Sequence, residues 1–433
     1  MQGGLRLLLV AVGVGLAPWA AVSQDAGRVP LVVISIDGMR PDYVTKADEH
    51  GLKIPALRAF LARGTYADGV VPTLTYPSHT TILTGVWPAE HGVYGNLMFD
   101  PLQEHSGRWY WDFSAIRVEM LYQAAKKAGI VTGAVDWPVT VGAPIDYDVA
   151  PYGTAGKFAY IPVDLLNRLG VAAPKDDEDD DAKVAASVAI LRKYKPGLML
   201  VHLLELDEEQ HRHGPFSVEA NARLEKIDAQ VAAIERAALA VDARTRVVVV
   251  SDHGFARVDR MVNLNVLLAR AGLMRLGRRG KVVSWKAEAW ATGGSAAIML
   301  RDAGDAATLA AVKKVIAEAA TDPAYGIVGV LTGEQAEAMG GLPGAALVVD
   351  FRDGFDAGVG FSGAVVEDVA GTGMHGYLPT HEAMRAAFMV MGEGVAVGRD
   401  LGVVDMRAVA PALAEMLGLK LEAAKVGAVG WRR

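Results

Sequence analysis

Four short motifs place carboxylate and imidazole side chains where they could do chemistry, three of them at or just past the end of an apolar run. Asp37 follows the run PLVVISI in Ser35-Ile36-Asp37-Gly38. Asp207 follows LMLVHLL and leads His211 at the i+4 position. Asp252 and His253 come straight after RVVVV, and His375 sits in Gly373-Met374-His375-Gly376. Taken singly, each motif is compatible with an ordinary turn or a capping residue. Taken together, they offer three carboxylates and three imidazoles in a chain without a single cysteine. Oxygen and nitrogen donors without thiolates suit Zn²⁺, and Mn²⁺ or Fe less well. Two such ions about 4 Å apart clamp the attacking and leaving oxygens of an in-line displacement at phosphorus.

A nucleophile for that chemistry is available in Pro72-Thr73-Leu74-Thr75-Tyr76-Pro77-Ser78-His79-Thr80-Thr81, a hydroxyl-rich stretch that leads into an apolar helical start. A threonine hydroxyl is a poor nucleophile at neutral pH and needs a metal ion to become an alkoxide. A helix N-terminus beneath it would offer free N–H groups to phosphoryl oxygens. The competing reading is a plain capping segment, with Thr75 or Ser78 as the cap.

These residues are useful only if the fold gathers them. Strand and helix signals alternate along most of the chain. Residues 30–36, 130–135, 198–204 and 246–250 read as strands, the first, third and fourth of them buried on both faces; helical spacing appears at 55–63, 118–128, 185–193, 218–239 and 264–271. The order predicts an α/β fold: a mainly parallel central sheet with helices on both faces. In such sheets the C-terminal strand ends share one edge, where ligands bind. Residues from about 275 to 365 are less regular, with strands at 281–285, 296–300 and 346–351 and a helix at 307–319, and read as a smaller inserted α+β subdomain within one catalytic domain spanning 24–433. The acidic run Asp176–Asp181 reads as a solvated loop whose carboxylates favour the following helix N-terminus.

Composition narrows the class. With 433 residues, 52% of them hydrophobic, the chain can bury enough apolar surface to fold, which excludes a disordered tail. A net charge of −7 argues against bulk electrostatic binding to nucleic-acid polymers or anionic lipid, a local basic patch apart. Residues 1–23 have the parts of a secretory signal peptide: Arg6, an apolar stretch from Leu7 to Val22, and small residues at Ala21 and Ser23. Cleavage after Ser23 is expected, giving an exported periplasmic or extracellular protein without a membrane span; an uncleaved anchor is the alternative. Oligomeric state is not legible.

The whole order of motifs, IDGMRPDY, PTLTYPSHTTILTGVWPAEHGVYGN, LDEEQHRHG, SDHGF and GMHGY, resembles the nucleotide pyrophosphatase/phosphodiesterase family of the alkaline phosphatase superfamily. The likeness runs over roughly residues 29–392 and includes Asp136-Trp137-Pro138. It implies an alkaline phosphatase-like fold and two zinc ions per chain. One zinc would be held by Asp207, His211 and His375. The other would be held by Asp37, Asp252 and His253, with Thr75 as its remaining ligand and as the nucleophile. Asn96 matches the family asparagine that hydrogen-bonds a non-bridging phosphoryl oxygen, and Tyr76 an aromatic that packs on the nucleotide base. The implied activity is hydrolysis of phosphodiester or pyrophosphate bonds in a small-molecule substrate through a phospho-threonine. His79 and His213 are read as neighbours of the ligand set or as surface residues, not members of it.

The chain departs from the family in Tyr76-Pro77-Ser78, where Phe-Pro-Asn is common, and in residues 147–166, which match nothing in it. Both bear on substrate identity. A phosphate monoesterase on the same metal pair is the nearest rival, but the related enzymes carry a Lys-x-Arg pair, and between Trp137 and Pro162 this chain has only Lys157. A phosphonate hydrolase is a more distant option, and a non-catalytic exported binding protein the option from another class. Sulfatase chemistry lacks its Cys/Ser-x-Pro-x-Arg setting.

Overall fold

The computed structural model describes residues 27–61, 66–70, 73–102, 104, 108–154 and 157–432. The expected signal segment, 1–23, lies outside them. The centre is a nine-stranded sheet. Strand β1 (Leu31–Ile36) lies between β3 (Leu198–Leu203) and β4 (Arg246–Val250), parallel to both, and β2 (Thr132–Val135) runs parallel on the far side of β3. Tyr147–Thr154 continues the parallel set beyond β2. Antiparallel strands flank it: Lys157–Ile161 at one end, and Ala386–Met391 beside β4 at the other.

The apolar runs form these strands because both faces of the sheet are covered. Along β1, Leu31 and Val33 join one core cluster with Ile82 and Leu413, while Val32, Ile34 and Ile36 join another with Leu224, Ile227 and Val231. Alternate residues thus bury against opposite helical layers, each side chain contributing about 1.5–3 kcal/mol. This explains why the strands read as continuous apolar runs without polar alternation. A charge at Val249, which is fully buried, would leave an unpaired ion in the core.

Helix α1 (Thr75–Thr84) precedes β2. Helix α2 (Asp180–Tyr194) precedes β3, and α3 (Glu205–His213) and α4 (Val218–Val241) follow it. Helix α2 begins five residues earlier than the spacing predicts. The acidic run is not simply solvated: Asp179 caps α2 by accepting the Ala182 N–H, and Asp180 is fully buried. Beyond β4, strand β5 (Ala256–Val262) leads into a four-stranded antiparallel sheet of β6 (Ala287–Ala291), β7 (Ser295–Leu300), β8 (Ile327–Thr332) and β9 (Ala345–Phe351). The chain then returns through β10 (Val366–Met374), antiparallel to β5. Met374 pairs with Ala256 at the start of β5, so the return brings His375 close to Asp252 and His253, which lie just before that strand. Residues 147–166 form a hairpin, Tyr147–Thr154 with Lys157–Ile161, and the start of a short helix, Val163–Leu169.

Candidate metal centre and nucleophile

Each strand end delivers its ligand where the sheet stops. Asp37 is the residue after β1, Asp207 lies in the first turn of α3 just past β3, and Asp252 and His253 follow β4 within three residues. Asp37, Asp252 and His253 are completely buried, and Asp207 and His375 nearly so. Ligand atoms of Asp37, Asp252 and His253 lie within 4.8 Å of one another, as do those of Asp207, His253 and His375. His253 belongs to both groups. His211 is tied to the second through Asp207, its Nε2 standing 3.2 Å from Oδ2. Five of the six residues predicted as Asp or His ligands therefore fall into two adjoining clusters, and the sixth, His211, borders one of them.

The hydrogen bonds behind the imidazoles fix which nitrogen faces inward. Nδ1 of His211, His253 and His375 donates to the carbonyl oxygens of Gly373, Gly254 and Thr73 at 3.1, 3.1 and 3.0 Å. A neutral imidazole bonded in this way presents a lone pair at Nε2. Nε2 of His253 nonetheless faces two carboxylate oxygens, Asp252 Oδ2 at 3.1 Å and Asp37 Oδ1 at 3.3 Å. Asp37 Oδ1, Asp207 Oδ1 and Asp252 Oδ2 are all buried without a hydrogen-bond donor. Convergent lone pairs with no proton between them are costly unless a cation lies among them. The donor set fits divalent metal ions.

Electrostatics favours neutral donors at His253 and His375 and a charged imidazole at His211. Burial pushes the Asp37 carboxyl well up, and the charges of Asp252 and Asp207 push it further. Burial lowers His253 to about 4 and His375 to about 3, which keeps them neutral as metal donors require. His211 runs the other way: burial opposes its charge, but the Asp207 carboxylate raises it to about 9.

Thr75 opens α1 beside this cluster, its hydroxyl 3.4 Å from His253 Nε2. Asn96 closes the other side: its Nδ2 donates to the Thr75 hydroxyl at 3.3 Å and its Oδ1 accepts the Tyr76 N–H at 2.9 Å. The helix N-terminus offers less than expected. Tyr76 N–H is taken by Asn96, Pro77 has none, and Ser78 N–H bonds the Leu74 carbonyl, so the first turn keeps only Thr75's own N–H for a ligand. Thr75 is not a cap, since the cap position is Leu74.

A cleft of about 130 Å³ opens over Thr75 and Asn96. One wall is aromatic: the Tyr76 ring packs 5.3 Å from Trp109, which stacks on Trp111 at 5.4 Å. Asp136, Asp177 and Glu208 contribute to the rest, and no Lys or Arg lines it among the described residues. Trp109 and Trp111 escaped the sequence reading because they lie outside every motif. So did His202, within β3, whose Nε2 sits 2.9 Å from Asp37 Oδ2 and whose Nδ1 faces the Asp136 carbonyl at 3.0 Å. His79 lies behind the ligands: Nδ1 donates to the Thr75 carbonyl at 2.8 Å, and Nε2 bonds Ser35. His213 pairs loosely with Glu209 at 3.7 Å, and His381 bonds Asp350 and Asp353, both away from the clusters.

Comparison with known proteins points the same way. Residues 31–377 match the family described as type I phosphodiesterase/nucleotide pyrophosphatase. Human ectonucleotide pyrophosphatase/phosphodiesterase family member 7 is 26% identical over 274 residues, 60% of this chain and 56% of that protein. Human family member 1 is 25% identical over 240 residues, 52% of this chain and 23% of its own. The match thus spans less than two thirds of either relative. In fold, the chain resembles inactive murine ectonucleotide pyrophosphatase/phosphodiesterase 5 in complex with AMP, with a TM-score of 0.67 and 20% identity over 91% of this chain and 96% of that one. Phosphonoacetate hydrolase from Sinorhizobium meliloti 1021, in complex with phosphonoformate, has a TM-score of 0.65 at 22% identity over 88% and 94%.

Proposed function

Because the chain belongs to the type I phosphodiesterase/nucleotide pyrophosphatase family of phosphoester hydrolases, we propose that it is a two-zinc enzyme cleaving small phosphodiester or pyrophosphate substrates of nucleotide type through a covalent phospho-threonine. The observation that carries this reading is the trio of donor-less buried oxygens on Asp37, Asp207 and Asp252, gathered with three inward-facing imidazoles around the Thr75 hydroxyl.

Asp207, His211 and His375 would hold one ion, and Asp37, Asp252, His253 and Thr75 the other. Bound there, such ions would lower the pKa of the Thr75 hydroxyl and offset charge on the departing oxygen. The Thr75 oxygen then forms a bond to phosphorus as the bond to the leaving ester oxygen breaks. Water later displaces the Thr75 oxygen from phosphorus and restores the hydroxyl. Asn96 Nδ2, which donates to the Thr75 hydroxyl, and the Thr75 N–H would stabilise negative charge building on the phosphoryl oxygens. The Tyr76–Trp109–Trp111 wall supplies a flat apolar face for the group esterified to the phosphate, and a nucleobase suits it. AMP in the murine neighbour supports this choice of substrate.

A diester fits the cleft better than a monoester. A dianionic monoester needs added cations, and the described lining supplies acidic groups instead. The same lack weighs against a phosphonate carrying a second acid group, despite the fold shared with phosphonoacetate hydrolase. The test is kcat/KM on bis(p-nitrophenyl) phosphate against p-nitrophenyl phosphate, followed by nucleotide diesters and lysophospholipids. A strong monoester preference would reverse the choice. We also read the protein as exported, on the pattern from Arg6 to Ser23. No helix among the described residues is long and apolar enough to cross a membrane.

A further inference from the structure

A lysine that no solvent reaches lies behind the candidate metal centre. Lys183, on α2, is completely buried, and burial of an ammonium is costly unless it is fully paired. It is paired on three sides. Its Nζ stands 2.6 Å from Asp136 Oδ2 and 3.0 Å from Asp180 Oδ1, and it donates to the Asp177 carbonyl at 2.6 Å. Burial alone would lower its pKa, but Asp136 and Asp180 outweigh that and hold it above the ordinary lysine value.

The two carboxylates lead in different directions. Asp180 accepts the backbone N–H groups of Leu204 and Glu205, each at 3.0 Å, so it pins the start of α3. Helix α3 carries Asp207 and His211. Asp136, the residue after β2, has a left-handed backbone conformation, φ 59°, which few non-glycine residues adopt. Its carbonyl accepts from His202 Nδ1 at 3.0 Å, with its own Oδ2 3.5 Å from the same nitrogen. His202 Nε2 in turn holds Asp37 Oδ2 at 2.9 Å, leaving Asp37 Oδ1 turned toward His253.

We infer that Lys183 is a positioning residue for both halves of the metal centre: through Asp180 it sets the helix bearing Asp207 and His211, and through Asp136 and His202 it sets the Asp37 carboxylate. One ammonium thereby keeps two ligand groups, drawn from separate elements, at a fixed separation. Groups that hold metal ligands from behind typically change metal affinity about 10- to 100-fold when removed. This inference rests on the two-metal reading.

The test is titration of the metal-free full-length protein with Zn²⁺ against a competing chelator, with apparent melting temperature recorded on each variant. Asp207→Ala and Asp252→Ala, each retaining one site, identify which dissociation constant belongs to which half. Asp180→Ala should weaken only the half containing Asp207, and His202→Phe only the half containing Asp37. His202→Gln, which can still donate to Asp37, should restore most of the latter. Lys183→Met should weaken both by about tenfold or more. Should Lys183→Met fail to fold, with two buried carboxylates left unpaired, the triple variant Lys183→Met/Asp136→Asn/Asp180→Asn removes the charges together and should show the same double weakening. Unchanged dissociation constants in a folded Lys183 variant would overturn the inference, as would uniform weakening of both halves by Asp180→Ala and by His202→Phe. Wild-type protein that binds fewer than two ions would instead overturn the two-metal reading itself.

Discussion

Asn96 Nδ2 stands 3.3 Å from the Thr75 hydroxyl, and it is held there because Asn96 Oδ1 accepts the N–H of the next residue, Tyr76. That second bond fixes the orientation of the amide, so the side chain can only donate toward the nucleophile. On the proposed mechanism the pair is a charge-stabilising device assembled from the first turn of α1 and a loop, twenty-one residues apart. Replacing Asn96 with Ala should lower kcat about 100-fold, the usual effect of losing one preorganised donor, with zinc affinity unchanged. Steady-state kinetics beside a zinc titration would check this; equal losses in both would assign Asn96 to the metal site.

Thr75→Ala should abolish turnover, by about 10⁴-fold or more, and keep its zinc. Asp252→Ala should lose both turnover and at least one ion per chain. Metal content by elemental analysis, set against rate, separates the two roles. Hydrolysis by Thr75→Ala at the wild-type rate would remove Thr75 as nucleophile.

The aromatic wall should govern binding and leave chemistry alone. Trp109 stacks on Trp111 and packs against Tyr76. Trp109→Ala is expected to raise KM for nucleotide diesters about tenfold, near the 1–3 kcal/mol of a stacked base, with little change in kcat. The same variant should barely affect a dimethyl phosphate ester, which has nothing to stack.

A pH effect on stability is expected from His381. Its imidazole is raised to about 9 by hydrogen bonds to Asp350 and Asp353, at 2.8 and 3.2 Å. A histidine whose folded pKa is raised contributes fully below its unfolded pKa, about 6.5, and loses that contribution as pH rises through the folded value. Asp353 is largely exposed, so screening should hold the net gain to about 1 kcal/mol. Denaturation of wild type and His381→Gln should differ near pH 6 and converge near pH 10. A constant gap across that range would show that the contact is not titrating.

Much of this architecture was legible in the residues because buried parallel strands announce themselves. The runs ending at Ile36, Leu203 and Val250 are apolar on both faces, so an aspartate within a few residues of each run's end lies near the sheet edge. Asp37, Asp207 and Asp252 stood out for that reason. His202 did not, since a histidine inside an apolar run reads as a core residue until its partners are known. Lys183 and Asp180 were hidden in an acidic, helix-forming stretch whose surface-like composition gave no sign that they are buried. Trp109 and Trp111 lie in a loop with no period, and only the fold brings them beside Tyr76. The helix start at Thr75 was anticipated, but not that Asn96 and Pro77 leave it a single free N–H.

The central claim is that two divalent ions sit beside Thr75, one among Asp207, His211 and His375 and one among Asp37, Asp252 and His253. Crystals of zinc-loaded protein, measured on both sides of the zinc absorption edge, test it most directly. Two anomalous peaks, one in each ligand group and both adjoining the Thr75 hydroxyl, are the expected result. A map with no peak there, or with zinc bound only elsewhere on the molecule, would contradict it.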